Sequence, residues 1–171
     1  MPTYQRFEDL PVWQEAIRLA EGVYDLTETI AKRLSFSAKD QIERAALSVS
    51  NNIAEGFERG TTNELLAFLY IARGSAGEVR SMLCFFERRP ALADLRSQIS
   101  DLKSIAESCS RQIRAWADSL QNSDITGPRH LNQKSRTSYQ GKKSQEQGLE
   151  SFRKKLLDAL PPDHPARPRE T

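Results

Sequence analysis

Proton transfer and metal binding at neutral pH usually begin with histidine, and this chain has only two, His130 and His164. Both fall in the last fifty residues, so residues 1–121 carry no imidazole. The Glu-x-x-His pair that builds di-iron sites inside helical bundles is missing from them as well. Cys84 and Cys109 stand far apart, without metal-ligand spacing, and read as buried free thiols. Gly22, Gly56, Gly60, Gly74 and Gly77 form neither a phosphate-binding loop nor a dinucleotide fingerprint. With no nucleophile placed beside a base, the expectation is a protein without catalysis, cofactor or metal.

The residues that stand out are polar. Gln41, Ser48, Asn52 and Glu55 recur with Ala45 at helical spacing, bordered by Arg44 and Asn51, beside an apolar row of Ala38, Ile42, Val49 and Ile53. Further on, Glu78 interrupts the row Phe68, Ile71, Ser75, Met82 and Phe85. If the two segments pair antiparallel across a turn near Arg59, positions whose numbers sum to about 120 face each other. Gln41 and Arg44 then approach Glu78, and Ser48 approaches Ile71 and Ser75. The expectation is a buried or half-buried layer in which Glu78 accepts from Arg44, Gln41 or a serine hydroxyl. One meaning of such a layer is register, fixing how helices pair at some cost in stability. The other is contact with a ligand or nucleic acid. The small Ala45, Ser75, Ala76 and Gly77 suggest close helix approach rather than a cavity, which favours register.

Candidate phosphate contacts are Arg73, Arg80, Arg88, Arg89, Arg111 and Arg114, with Lys142, Lys143, Arg153, Lys154 and Lys155 nearer the C-terminus. Solvated faces and weak ion pairs are the plainer reading of such residues. Residues 1–121 hold 15 basic and 17 acidic side chains, a balance of −2, whereas residues 122–171 hold 10 and 6, a balance of +4. Affinity for nucleic acid grows with the number of phosphates neutralised, so the first part has no bulk attraction for RNA or DNA.

The elements that position these residues are helices. Apolar side chains recur at three- and four-residue spacings from Asp9 to Gln121, with no strand-like alternation. Helices are predicted at about 10–33, 38–57, 62–89 and 91–120. Asp9 and Ser37 serve as expected caps, and Gly56 and Gly60 are available to end the second helix. Thr61-Thr62-Asn63-Glu64 is a capping box, and Pro90 separates the last two helices. Short connections force sequence neighbours to lie antiparallel, giving an all-α, up-down-up-down four-helix bundle over residues 1–121. Helix 4 carries one heptad seam, whereas helices 1 and 3 each carry two. The second seam either touches a second neighbour in the bundle or is covered by another subunit. Gly74 and Gly77 each cost about 1 kcal/mol relative to alanine inside a helix, which a closely packed helix or subunit would offset.

Residues 122–171 are expected to be a mostly disordered, flexible basic tail, with a short amphipathic helix at 149–160. The longest apolar run, Leu65–Ala72, is too short for a membrane span of about 20 residues. No secretory signal is visible, and two cysteines suit a reducing compartment, so a cytoplasmic protein away from membranes is expected.

Three segments together resemble a bacterial four-helix bundle family named for proteins encoded in intervening sequences of 23S ribosomal RNA genes. They are Phe7-Glu-Asp-Leu-Pro-Val-Trp-Gln-Glu-Ala16, Gln41-Ile-Glu-Arg-Ala-Ala-Leu-Ser-Val-Ser-Asn-Asn-Ile-Ala-Glu-Gly56 and Ile71-Ala-Arg-Gly-Ser-Ala-Gly-Glu78. The resemblance spans Phe7 to Leu120 and stops before the tail. It implies an up-down bundle, assembly into a ring-like homopentamer, no known catalysis, and a scaffold role with RNA or an RNA-processing protein as partner. The family is similar to the accessory variability protein of diversity-generating retroelements, which partners a reverse transcriptase and RNA through a basic surface. The alternative function this implies is an accessory subunit of a reverse transcriptase. The −2 balance of residues 1–121 departs from that basic surface.

Overall fold

Proline fits the first position of a helix, where its missing N–H costs nothing, and Pro11 opens α1 (Pro11–Thr29) in that way. A computed structural model describes residues 4–122, 141, 144–145 and 147–155. The chain divides into two compact units, Met1–Arg129 and His130–Thr171, each treated by itself below. In the first, α1 is followed by α2 (Phe36–Glu58), α3 (Thr62–Glu87) and α4 (Arg96–Gln121). No strand occurs among the described residues, and no helix there is long and apolar enough to cross a membrane.

Four pairs of neighbours close a square: α1 with α2, α2 with α3, α3 with α4, and α4 with α1. Each pair runs antiparallel. Gln41 of α2 meets Glu78 of α3, while Gly56 at the other end of α2 lies against Leu65 and Phe68. Lys103 of α4 reaches Glu87, and Gln121 reaches Tyr70. Arg33 Nη1 bonds both carboxylate oxygens of Asp94 at 2.8 and 2.9 Å and the carbonyl of Ala91 at 3.3 Å, tying the α1–α2 connection to the start of the last helical segment. That guanidinium holds the Asp94 carboxyl below the usual carboxylate range.

The heptad seams account for the interior. The α1 seam Val12, Ala16, Leu19, Val23, Leu26 and Ile30 is buried throughout, as is the α3 seam Leu65, Leu69, Ala72, Ala76, Val79, Leu83 and Phe86. Burying side chains of this size stabilises by about 1.5–3 kcal/mol each, so the seams supply most of the driving force for assembly. The second seam of α1, Trp13, Ile17, Ala20, Tyr24, Thr27, Ala31 and Leu34, meets α2 where Thr27 donates to Glu43 at 2.5 Å, but Ile17 and Tyr24 stay half-buried and Ala31 exposed. The second seam of α3 does not fully find cover, for Ile71 and Phe85 remain 51% and 53% exposed.

Several ends differ from expectation for local reasons. Asp9 belongs to a short 3-10 turn, Phe7–Asp9, and Leu10 precedes α1 without a side-chain cap. Residues 30–33 form turns rather than a last turn of α1, which the Arg33 tie to Asp94 favours. Ser35, not Ser37, caps α2: its Oγ accepts from the amide of Ala38 at 3.3 Å. Gly56 lies inside α2 rather than ending it, because α3 crosses there. Thr61 accepts from the amide of Glu64, but the Glu64 carboxylate accepts from the threonine hydroxyl at 2.7 Å instead of reaching the Thr61 amide. After Pro90 the chain makes a 3-10 segment, Pro90–Leu95, bent at Leu92, and α4 starts only at Arg96.

In the second unit residues 147–155 are helical, with Leu149 and Phe152 exposed, and Ser151 Oγ donates to the carbonyl of Gly148 at 2.9 Å. Residues 156–160 of the expected short helix lie outside the described residues, as do both histidines.

A Cβ added at Gly56 would sit 2.8 Å from Phe68 Cβ and 3.1 Å from Leu65 Cδ1, whereas one at Gly60 meets nothing within 4 Å. Phe68 Cβ is anchored to the backbone and cannot swing away. Gly56→Ala is therefore expected to lower stability by about 1–3 kcal/mol in urea denaturation despite its better helix propensity. Gly60→Ala should stay within about 0.5 kcal/mol of the parent. A Gly56→Ala protein more stable than the parent would contradict this packing.

Candidate interaction surface

The antiparallel pairing of α2 and α3 brings together much of the polar row. Gln41 Nε2 donates to Glu78 Oε1 at 3.0 Å, and the hydroxyls of Ser48 and Ser75 meet at 2.8 Å. Ser75 also donates to the carbonyl of Ile71 at 3.1 Å. Asn52 Nδ2 donates to the Ser48 carbonyl at 2.7 Å and to its hydroxyl at 3.0 Å. The two bonds that cross, Gln41 to Glu78 and Ser48 to Ser75, pin the α2–α3 register at two levels.

The layer is shallower than the sequence suggests. Ser48, Asn52 and Ser75 are half-buried, but Gln41 and Glu78 are exposed. Glu78 stays solvated because its row lies at the outer edge of the contact, where Ile71 and Phe85 of the same row are also open. Arg44 does not reach Glu78; it turns back one helical turn to Asp40, Nε to Oδ2 3.5 Å, with most of its side chain in solvent. Asn51 is exposed, and Glu55 accepts from Arg59, whose guanidinium also lies over the Phe68 ring, 4.9 Å from its centre.

The arginines separate into paired and unpaired sets. Arg80 and Arg111 both reach Glu107, at 3.5 and 3.1 Å, and Arg114 reaches Asp118 at 3.6 Å. Arg89 lies over the Phe85 ring, 5.7 Å from its centre. Arg73, half-buried, and Arg88, exposed, have no ion pair among the described residues. Arg153, Lys154 and Lys155 are exposed on the helix of the second unit, and Lys142 and Lys143 lie outside the described residues.

Among the described residues no base lies beside the paired serine hydroxyls. Burial pushes the Cys109 thiol up to about 12, leaving it protonated at neutral pH. Among the described residues no group of three histidine, cysteine or acidic side chains could hold a metal ion.

Gly74 and Gly77, singled out by their cost in helix stability, belong to a longer row on α3. Ala67, Tyr70, Gly74, Gly77 and Ser81 follow heptad spacing on the side facing away from the bundle, and all five are exposed. A Cβ placed at Gly74 or Gly77 meets nothing within 4 Å. Among the described residues no other helix comes close enough to explain either glycine. The 3-4-3-4 recurrence of small side chains was the available signal.

A solved structure gives the fold an independent parallel. The chain is similar to a protein of unknown function from the S23 ribosomal protein family of Bacteroides thetaiotaomicron VPI-5482, at 19% identity and a TM-score of 0.58, over 62% of this chain and 97% of that one. At that identity the likeness is one of fold. No curated protein matches the chain. The family model described as 23S rRNA-intervening sequence protein matches residues 8–115, which span all of α1, α2 and α3 and most of α4. The chain belongs to the 23S rRNA-intervening sequence protein family.

Proposed function

We propose that this chain is a non-enzymatic, cytoplasmic, homo-oligomeric scaffold whose subunits meet through the outward seam of α3. The observation that carries the reading is the pair Gly74 and Gly77: two glycines in the middle of a helix, in open space, each costing about 1 kcal/mol against alanine. Nothing among the described residues offsets that cost, whereas a helix from another copy crossing Ala67, Gly74 and Ser81 would approach closely enough to do so. Tyr70 of the seam, with Ile71 and Phe85 beside it, are 46%, 51% and 53% exposed and supply apolar area for such a contact. A ring of five is the assembly taken over from the family resemblance.

The substitutions Gly74→Gln and Gly77→Gln separate an interface from a solvated helix. Glutamine favours helix by about 0.5–1 kcal/mol over glycine, so each variant should be more stable as a subunit. It should also fall to a lower mass than the parent on size-exclusion chromatography. Variants that gain stability and keep the parental mass would remove the seam from the interface.

RNA, or a protein that works on RNA, is the partner class within this reading. Arg73, Arg88 and Arg89 are the side chains to test, since Arg80, Arg111 and Arg114 already pair with carboxylates. Binding of a single-stranded RNA, followed against salt concentration, should weaken in Arg88→Ala/Arg89→Ala, with the salt slope falling by about 1 per arginine. The double variant Arg111→Ala/Arg114→Ala should change it little. Equal losses in both, or no RNA binding by the parent, would overturn the assignment.

A further inference from the structure

Between α1 and α2 runs an open groove floored by Ile17, Ala20 and Tyr24 of α1 and by Leu47 of α2, with Glu21 and Asp25 on its rim. Leu47 is 37% exposed there, and Glu28 continues the acidic row one turn further along α1. Several carboxylates of α2 and α4 meet a cation one helical turn away, as Asp40 does Arg44, Glu55 Arg59 and Asp118 Arg114. Glu21, Asp25 and Glu28 have no ion pair among the described residues. Like charges at three- and four-residue spacing on a helix repel each other, so this row weakens α1 on its own. Its charge also opposes the approach of nucleic acid.

We propose that this groove is the docking site for a basic amphipathic helix of a partner protein. An apolar strip bordered on one side by a row of carboxylates is complementary to a helix with leucine-type side chains on one face and lysine or arginine beside them. Desolvating the strip gives affinity, and the carboxylates set the orientation and select for cations. The groove lies on the α1–α2 side of the bundle and uses no residue of the α3 seam, so this partner binds independently of how the copies assemble.

The test uses the full chain and a labelled synthetic helix of about 14 residues with leucines on one face and lysines alongside, a length sufficient to form three to four turns. Fluorescence anisotropy should show binding, and methyl NMR should place it at Ile17 and Leu47. Glu21→Lys/Asp25→Lys/Glu28→Lys should weaken the lysine peptide by roughly tenfold or more and create binding of the matching glutamate peptide. Leu47→Asp adds a negative charge yet should also weaken the lysine peptide by roughly tenfold, because it removes the apolar floor. Undiminished or tighter binding by Leu47→Asp would reduce the effect to bulk charge and overturn the proposal. Perturbations centred on α3 would overturn it too. A lower assembly mass in any of these variants would assign the groove to a second copy of this chain instead.

Discussion

Everything in the first unit depends on how α2 and α3 lie against each other. At one end of the pair Gly56 lets α3 approach with no Cβ in the way, Leu65 and Phe68 filling the space that a side chain would take. Further along, the hydroxyls of Ser48 and Ser75 meet, and near the other end Gln41 bonds Glu78. Steric contact sets the closeness and the hydrogen bonds set the register. A one-turn slip would open both polar contacts and drive Leu65 into a different level of the core. Polar contacts of this kind contribute only about 0.5–1.5 kcal/mol each, so their role is to choose one register among those the apolar seams would tolerate.

Fixing α2 against α3 also fixes which side of α3 is left over. With Leu65, Leu69, Ala72, Ala76 and Val79 committed to the core, the heptad partners Ala67, Tyr70, Gly74, Gly77 and Ser81 must face outward. A solvated helix face normally carries lysine, glutamate and arginine. This one carries small and aromatic residues. The contrast with the α1–α2 side, where Glu21 and Asp25 line an apolar groove and Glu28 extends the acidic row, gives the bundle two chemically distinct surfaces: one of small and aromatic side chains, one acidic and rimmed.

Much of this was legible in the amino-acid order. The number of helices, their antiparallel run, the buried seams and the pairing of Gln41 with Glu78 and Ser48 with Ser75 all follow from heptad spacing and one turn near Arg59. What was not legible depended on competition between local partners. Arg44 had a carboxylate one turn away at Asp40 and took it, because a contact on the same helix costs less side-chain entropy than one across the groove. The start of α4 moved to Arg96 because Pro90 can open a 3-10 segment as readily as an α-helix. Ser35 outcompeted Ser37 as a cap because its extended backbone points its hydroxyl at the amide of Ala38. Gly74 and Gly77 stood out by their helix cost, but Ala67, Tyr70 and Ser81 did not join them in one row because small residues carry little hydropathy.

A helix face of such small side chains, on the reading proposed above, exists to be covered by another copy of the chain. The most direct measurement is the mass of the native protein in solution by multi-angle light scattering, followed over a wide range of concentration. A subunit weighs 19.4 kDa, and the expected result is a discrete multiple of that value which persists on dilution. A constant 19.4 kDa at every concentration would contradict it and leave Gly74 and Gly77 without a physical reason.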